Sequence, residues 1–206
     1  MSEGEKNDRA ARPHRAWHNR GYLPHFDSGA VVQMITFRLA DSLPRELYEK
    51  IRARDEDEAE KRRRLEAMID AGRGGCVLRG AEMATIVEHS LKHFDGERYR
   101  LICWVIMPNH VHVVIEQIDG HSLSDIIRSW KSFSAKEINK VRNTSGPVWA
   151  PDYFDRFIRN RKHFSNAVAY VECNPVTAGL VDRVEQWPFS SAARNAGGTP
   201  AVPGLL

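Results

Sequence analysis

Two apolar segments separated by a Pro-Asn pair place the strongest constraint on how this chain folds. Residues 100–107 read RLICWVIM and are apolar at most positions, which indicates a central strand covered on both faces. Residues 110–117 read HVHVVIEQ and form a second strand candidate, after Pro108-Asn109. Both segments are rich in β-branched residues, so the middle of the chain is predicted to be sheet.

The flanking sequence alternates strand and helix patterns. The predicted elements are, in order, a strand at 30–39, helices at 45–71 and 81–94, the two central strands, a helix at 122–140, a strand within 148–158, and a helix at 163–173 ended by Asn174-Pro175. This order predicts an α+β fold, specifically a ferredoxin-like βαββαβ sandwich with helices on an antiparallel sheet. A C-terminal helix that carries a tyrosine is added to that unit.

The length of 206 residues suits one domain with short tails. We expect a basic arm with little structure at 1–28, a single domain at 29–195 and a disordered Gly/Pro-rich tail at 196–206. No apolar stretch is long enough to cross a bilayer, and the N-terminal residues lack the apolar core of a signal peptide. The three cysteines form no CxxC pair, so a reducing, cytoplasmic location is predicted.

Positive charge is concentrated in the second half of the chain. Residues 125–162 carry nine Lys or Arg against four acids, which favours a nucleic-acid partner. The DNA-binding candidates are the cations Arg128, Lys131, Lys136, Lys140, Arg156, Arg159 and Arg161, with the aromatics Trp149 and Tyr153 for base stacking. The alternative for each is an ordinary surface cation or a core aromatic.

His110 and His112 are the first candidates for chemistry. Side chains alternate along a strand, so the two imidazoles project to the same side and could hold one divalent ion. An exposed polar strand face is the alternative. His89 and His93, four apart on a predicted helix, are read as surface residues because no third ligand lies nearby in sequence.

Tyr170 and Asn174 are four residues apart, so they share one face of the last predicted helix. Taken singly, Tyr170 could be a core residue with its hydroxyl at the rim, and Asn174 a helix cap. Taken with the histidines, the set can build one site. Two nitrogens and an amide oxygen would hold an ion that acts on a phosphodiester, and the Tyr170 hydroxyl would be the nucleophile.

Several segments together resemble the REP-associated tyrosine transposases, a group of the single-tyrosine HUH transposases. The segments are MPNHVHVVI (107–115), YFDRFIRNRKHF (153–164), YVECNPVTAGLV (170–181), LPHFDSG (23–29), ITFRLADSLP (35–44) and WPFSSA (187–192). Thr177 departs from the pattern, because that family often has a basic residue there. The charged helix at 45–71 also looks long for the family.

The resemblance implies a transposase that cleaves and rejoins single-stranded DNA at hairpin repeats. Tyr170 would form a 5′-phosphotyrosine, and His110, His112 and Asn174 would hold Mg²⁺ or Mn²⁺. The partner would be single-stranded or hairpin DNA, with no membrane, and the protein would be a monomer or homodimer associated with the nucleoid. Two alternatives stay open: a domesticated hairpin-binding protein with little activity, and a zinc protein that uses His110, His112 and Cys173.

Overall fold

The computed structural model describes residues 17–19, 24–26 and 31–194. The strands are β1 (Trp17–Asn19), β2 (Pro24–Phe26), β3 (Val32–Arg38), β4 (Tyr99–Ile106), β5 (His110–Gln117) and β6 (Phe154–Phe157). The last four form one sheet in the order β4-β5-β3-β6, with every neighbouring pair antiparallel. This is the strand order of a βαββαβ sandwich, and the predicted fold class is confirmed.

Five α-helices accompany the sheet in the described part of the chain. They are α1 (Arg45–Arg52), α2 (Glu58–Asp70), α3 (Ala81–Lys92), α4 (Leu123–Arg142) and α5 (Arg161–Thr177). Two short 3₁₀ turns lie at Val77–Arg79 and Val184–Gln186. None of the helices in the described residues is long and apolar enough to cross a bilayer.

The two faces of the sheet pack against different helices. Phe37 and Val113 point to one face, which is covered by α3 and α4 around Trp130. Met34 and Val114 point to the other face, which is covered by α5. The helix pair α1 and α2 lies over the β6 end of this second face, where apolar residues of both helices pack on Phe154. The α5 face is the one that also carries the histidine pair.

Three sequence predictions need correction. The single helix at 45–71 is two helices, because Asp57 adopts extended backbone and caps α2 by accepting a hydrogen bond from the Glu60 N–H at 2.7 Å. The last helix does not stop at Asn174-Pro175 but continues to Thr177. Pro175 removes one donor near the helix end, yet the Ala178 N–H still reaches the Asn174 carbonyl at 2.9 Å. The strand within 148–158 is confined to β6.

The predicted N-terminal arm contains some regular structure, because β1 pairs with β2 in antiparallel register. The rest of that arm and the predicted tail at 196–206 lie outside the described residues.

The segment before the tail covers the outer edge of β4. The Ile106 N–H donates to the Phe189 carbonyl at 2.8 Å, and the Ser191 N–H donates to the Trp104 carbonyl at 2.9 Å. The edge of β4 is therefore shielded from pairing with another strand there.

Candidate active site

The histidine pair lies in the interior of the α5 face. His110 and His112 are 1% and 0% exposed, and their rings meet at 4.6 Å between centroids. Their Nε2 atoms are 3.0 Å apart. The shared orientation predicted from strand alternation is confirmed. Two imidazole lone pairs cannot face each other at this distance without a proton or a cation between them.

Asn109 fixes the orientation and tautomer of His110. Its Nδ2 donates to the carbonyls of Ile69 at 3.1 Å and Arg73 at 3.0 Å, so its Oδ1 faces the His110 Nδ1 at 2.7 Å. Because Oδ1 can only accept, the His110 Nδ1 carries the proton. The Nε2 lone pair of His110 is therefore directed into the site, as a metal-binding imidazole requires.

Thr36 contacts the second histidine. Its Oγ1 lies 2.7 Å from the Nδ1 of His112, and the two residues are cross-strand partners on β3 and β5. A hydroxyl can donate or accept, so Thr36 can support either tautomer of His112. With Nε2–H, His112 can donate to His110; with Nδ1–H, it offers a second lone pair to an ion.

Asp70 was missed by sequence reasoning, and it completes the cluster. It is the last residue of α2, and its Oδ1 lies 3.3 Å from the His110 Nε2 and 3.5 Å from the His112 Nε2. That oxygen is buried and has no hydrogen-bond partner. Among the described residues, Asp70, His110 and His112 form a group that could hold a metal ion.

Tyr170 of α5 lies over this cluster. Its Oη donates a hydrogen bond to the Asp70 Oδ2 at 3.0 Å, and its ring centroid is 5.1 Å from that of His112. The structure thus brings the predicted nucleophile to the predicted histidine pair within one chain. Neither contact follows from sequence spacing, because Asp70 and His112 both lie far from Tyr170 in the chain. Asp70 precedes Tyr170 by 100 residues.

Asn174 lies one helical turn after Tyr170, on the same face of α5. It is 4% exposed, and its Oδ1 is buried without a hydrogen-bond partner. An unpaired buried carbonyl oxygen is unfavourable, so this atom is available to a ligand. Cys173 is exposed, and the described His/Asp cluster contains no cysteine. The structure therefore gives no support to a zinc site that uses Cys173.

The protonation states follow from burial and neighbouring charge. Burial lowers the pKa of His110 to about 4, so its imidazole is neutral at neutral pH. Burial opposes ionisation of Asp70, but its contact with the histidine pair, through a proton on the Nε2 of His112, outweighs that effect and holds its pKa below the usual range. Burial, followed by the nearby Asp70 and Glu66, raises the pKa of Tyr170, so its hydroxyl keeps its proton in this arrangement.

Arg156 is the predicted DNA-binding cation with the clearest relation to the site. It pairs with Met34 across β6 and β3, which places it on the same sheet face as Tyr170. Its guanidinium lies 4.0 Å from Glu66, and its charge partly offsets the rise in the pKa of Tyr170. A phosphate near Tyr170 would meet this arginine.

The other predicted DNA-binding cations fall into two groups. Arg128, Lys136, Lys140, Arg159 and Arg161 are exposed, with Arg128 paired to Asp125. Lys131 is different, because its Nζ donates to the carbonyls of Ala150 at 2.6 Å and Pro151 at 2.9 Å. Burial lowers the pKa of Lys131 to about 8. Lys131 thus holds the segment before β6 in place.

The two predicted stacking aromatics are core residues in the structure. Trp149 and Tyr153 are 6% and 8% exposed, and Trp149 packs edge-on against Phe37 at 4.8 Å between centroids. The Trp149 Nε1 donates to the Ser134 Oγ at 2.9 Å. A base could stack on either ring only if the surrounding segment moved.

Comparison with known proteins finds similarity to transposases. Residues 77–174, a little under half of the chain, match the family model described as "Transposase IS200 like". The REP-associated tyrosine transposase of Escherichia coli (strain K12) is 29% identical over 111 residues, which are 53% of this chain and 65% of that protein. The chain is similar to the REP-associated tyrosine transposases over this part of its length. The match spans less than two thirds of that relative's length.

A solved structure of this group aligns with most of the chain. It is described as a REP-associated tyrosine transposase bound to a REP hairpin, and it covers 92% of both chains at a TM-score of 0.56 and 19% identity. At this identity the likeness shows the fold. The family-model match contains β5 and Tyr170 but excludes α1, α2 and Asp70. The carboxylate in the cluster therefore comes from a part of the chain outside the matched residues.

Proposed function

We propose that this chain is a metal-dependent transposase or nickase that cleaves and rejoins single-stranded DNA at hairpin sequences. Tyr170 would be the nucleophile and would form a 5′-phosphotyrosine. One observation carries the proposal: the hydroxyl of Tyr170, the carboxylate of Asp70 and the two Nε2 atoms of His110 and His112 form a single contiguous cluster.

The cluster fits a divalent ion on geometric grounds. Mg²⁺ binds ligands at about 2.1 Å with near-octahedral angles, which separates adjacent ligand atoms by about 3 Å. The two Nε2 atoms and the Asp70 Oδ1 are separated by 3.0, 3.3 and 3.5 Å. His110, His112 and Asp70 would hold the ion, and the unpaired Oδ1 of Asn174 would be a further ligand. Imidazole nitrogens favour Mn²⁺ over Mg²⁺.

The bound ion would supply Lewis-acid polarisation of the scissile phosphodiester. The chain's own residues prepare the nucleophile. Asp70 accepts a hydrogen bond from the Tyr170 hydroxyl at Oδ2 and so orients the phenolic oxygen. The lowered pKa of Asp70 makes it a weak base, so the hydrogen bond orients Tyr170 more than it ionises it. The Oη of Tyr170 would form a bond to phosphorus and release its proton to water, while the bond from phosphorus to the DNA 3′-oxygen breaks and that oxygen takes a proton from water to leave as a 3′-hydroxyl.

A covalent phosphotyrosine conserves the energy of the phosphodiester bond, which suits rejoining. Because Tyr170 lies over His112 of its own chain, the proposal needs no tyrosine from a second copy. The solved relative is described as bound to a REP hairpin, which supports hairpin DNA as the partner. Arg156 and the exposed cations of α4 and α5 would hold phosphates.

The proposal is tested by trapping the covalent intermediate. A hairpin oligonucleotide labelled 3′ of the nick should remain attached to the wild-type protein through denaturing electrophoresis in the presence of Mn²⁺. Mass spectrometry should place the adduct on the peptide that contains Tyr170. Tyr170→Phe removes only the hydroxyl, so it should bind the hairpin and form no adduct. Tyr153→Phe, a buried tyrosine outside the cluster, is the matched control.

An adduct on another tyrosine would overturn the assignment of Tyr170. Hairpin binding by wild type without any adduct, with either Mg²⁺ or Mn²⁺, would favour the alternative of a hairpin-binding protein that no longer cleaves.

A further inference from the structure

Arg38 is placed next to the histidine pair by strand register. It is the last residue of β3 and is paired directly with His110 of β5. Paired residues of antiparallel strands project to the same face with Cβ atoms about 5 Å apart. Arg38 therefore starts from the same face of the sheet as the candidate metal ligands, at the end where β5 begins.

The guanidinium of Arg38 is half-buried without a carboxylate partner among the described residues. Its Nη1 reaches only the Leu39 carbonyl and the Ser42 Oγ, both at 3.4 Å, which is at the outer limit of hydrogen bonding. The ring of Tyr48 lies 5.8 Å away, and Asp152 acts on it only from beyond ion-pair distance. A partly desolvated cation of this kind is stabilised when an anion binds to it.

Arg38 also lines a cleft outside the site described above. The cleft has a volume of about 670 Å³ and lies between α1 and the segment 147–152 that precedes β6. Helix α1 contributes Arg45 and Arg52 to its wall, and the acids on the wall are Glu49 and Asp152. Glu49 is engaged by Arg45 at 2.7 Å. Arginines therefore outnumber acids on a concave surface that begins beside His110.

We infer that this cleft binds the phosphodiester backbone of the single-stranded DNA that flanks the nick, with Arg38 contacting a phosphate next to the scissile one. The inference rests on the proposed function for the identity of the DNA. Arg38 selects this occupant, because it lines the cleft and is also the cross-strand partner of His110. Guanidinium groups match phosphate oxygens in a bidentate geometry, and the arginines of α1 extend the same path.

The cleft lies in a part of the chain that the family-model match does not reach. Arg38 and all of α1 precede residue 77, where the match begins. The helix pair α1 and α2 would then have two roles. Helix α2 brings Asp70 to the histidines, and α1 provides the outer wall of the path for the flanking strand.

The experiment measures binding of a DNA hairpin with thymidine flanks by fluorescence anisotropy, in the Tyr170→Phe background so that no cleavage occurs. The same hairpin trimmed of its flanks is the reference. Single phosphates in the flank are then replaced one at a time by neutral methylphosphonates. Arg38→Gln and the double variant Arg45→Gln/Arg52→Gln each remove cleft charge. Arg100→Gln, at the other end of the sheet and paired with Glu116, is the charge-matched control.

We expect Arg38→Gln to weaken binding of the flanked hairpin about tenfold, the size of one charged hydrogen bond, and binding of the trimmed hairpin by less than twofold. A methylphosphonate at one position of the flank should weaken hairpin binding by wild type by a similar factor. The same replacement should leave hairpin binding by Arg38→Gln unchanged. The double variant changes the exposed Arg45 and the half-buried Arg52 of α1, so it tests the cleft even if Arg38→Gln folds poorly. It should also lower the slope of log affinity against log salt.

Equal affinity of all variants for the flanked hairpin would overturn the cleft assignment, as would equal sensitivity of wild type and Arg38→Gln to every methylphosphonate. The result is separable from that of the proposed function. If wild type forms no phosphotyrosine, but its sensitivity to one methylphosphonate is lost in Arg38→Gln, cleavage is contradicted and the cleft is supported. If wild type forms the adduct, but Arg38→Gln keeps the same methylphosphonate sensitivity, cleavage is supported and the cleft is contradicted.

Discussion

Tyr170 donates a hydrogen bond to the Oδ2 of Asp70 at 3.0 Å, and the other oxygen of the same carboxylate lies 3.3 Å from the His110 Nε2. One side chain therefore contacts both the candidate nucleophile and the candidate metal ligands. A change in the charge or the position of Asp70 therefore affects the candidate nucleophile and the candidate metal ligands together. The following predictions use this coupling and the contacts around it.

Replacing Asp70 should weaken metal binding more than DNA binding. Asp70→Asn keeps the shape and an acceptor for Tyr170 but removes the charge, so we expect at least a tenfold loss of Mn²⁺ affinity by calorimetry. Nicking should fall in parallel, while hairpin affinity should change by less than about twofold. Glu66→Gln, on the same helix and outside the cluster, is the control. Unchanged Mn²⁺ affinity would remove Asp70 from the ligand set.

Asn109 should be important for stability and for the tautomer of His110. Asn109→Ala removes three hydrogen bonds, two of them buried, and at about 1 kcal/mol each the free energy of unfolding should fall by roughly 3 kcal/mol. The ¹⁵N chemical shifts of His110 should report loss of the fixed Nδ1–H form. Asn139 makes comparable contacts near the surface, so Asn139→Ala should leave the His110 signals unchanged. A wild-type tautomer in Asn109→Ala would contradict this role.

Thr36 should support the metal-binding tautomer of His112. Thr36→Val has the same shape without the hydroxyl, so the His112 Nδ1–H would lose its acceptor and Mn²⁺ affinity should fall about tenfold or more. Thr36→Ser restores the hydroxyl and should restore most of that affinity. The measurement is Mn²⁺ titration followed by electron paramagnetic resonance. Equal affinities of the valine and serine variants would show that the hydroxyl has no such role.

Acidification should destabilise the metal-free protein through His110. In the unfolded chain a histidine binds a proton below about pH 6.5, whereas the pKa of buried His110 is about 4. The unfolded state thus binds more protons in this window, and the free energy of unfolding should fall as the pH drops from 6.5 to 4. We expect His110 to contribute about 3 kcal/mol to this fall, and urea unfolding across the same pH range would measure it. His110→Gln should lose this part of the slope, and an unchanged slope would contradict it.

Removal of the metal should separate cleavage from binding. EDTA should stop nicking, because the phosphodiester then lacks its polarising ion. Hairpin affinity should persist, because cations such as Arg156 contribute most of it, and it should fall steeply with salt. The checks are a nicking assay and a filter-binding assay on the same samples, with Mn²⁺ added back to restore cleavage. Full nicking in EDTA would contradict the metal assignment.

The local parts of the site could be predicted from sequence because they depend on periodicity alone. Side chains two apart on a strand share a face, so His110 and His112 had to be adjacent wherever β5 lay. Residues four apart on a helix share a face, so Tyr170 and Asn174 were paired in the same way. That the two pairs build one site was a hypothesis from the residue types, and the family resemblance favoured the same arrangement.

Asp70 could not be assigned from local pattern, because it belongs to a helix whose other charges are solvated. One signal was present: an acid at the C-terminal end of a helix opposes the helix dipole, and Asp70 directly follows the buried Ile69. A carboxylate retained there suggests a partner. The partner, His110, lies 40 residues later in the chain. The hydrogen bonds from Asn109 to the Ile69 and Arg73 carbonyls hold this part of β5 next to the end of α2.

The sequence by itself determined the order of the four strands of the main sheet, the fold class and the shared orientation of each candidate pair, because hydrophobic period and backbone geometry act over a few residues. Only the tertiary structure decided which charged and aromatic residues lie at the candidate site. It turned Trp149 and Tyr153 into core residues, tied Lys131 to backbone carbonyls, and brought Asp70 and Arg38 to the histidines. Those outcomes depend on sheet register and helix packing, which join residues far apart in the chain.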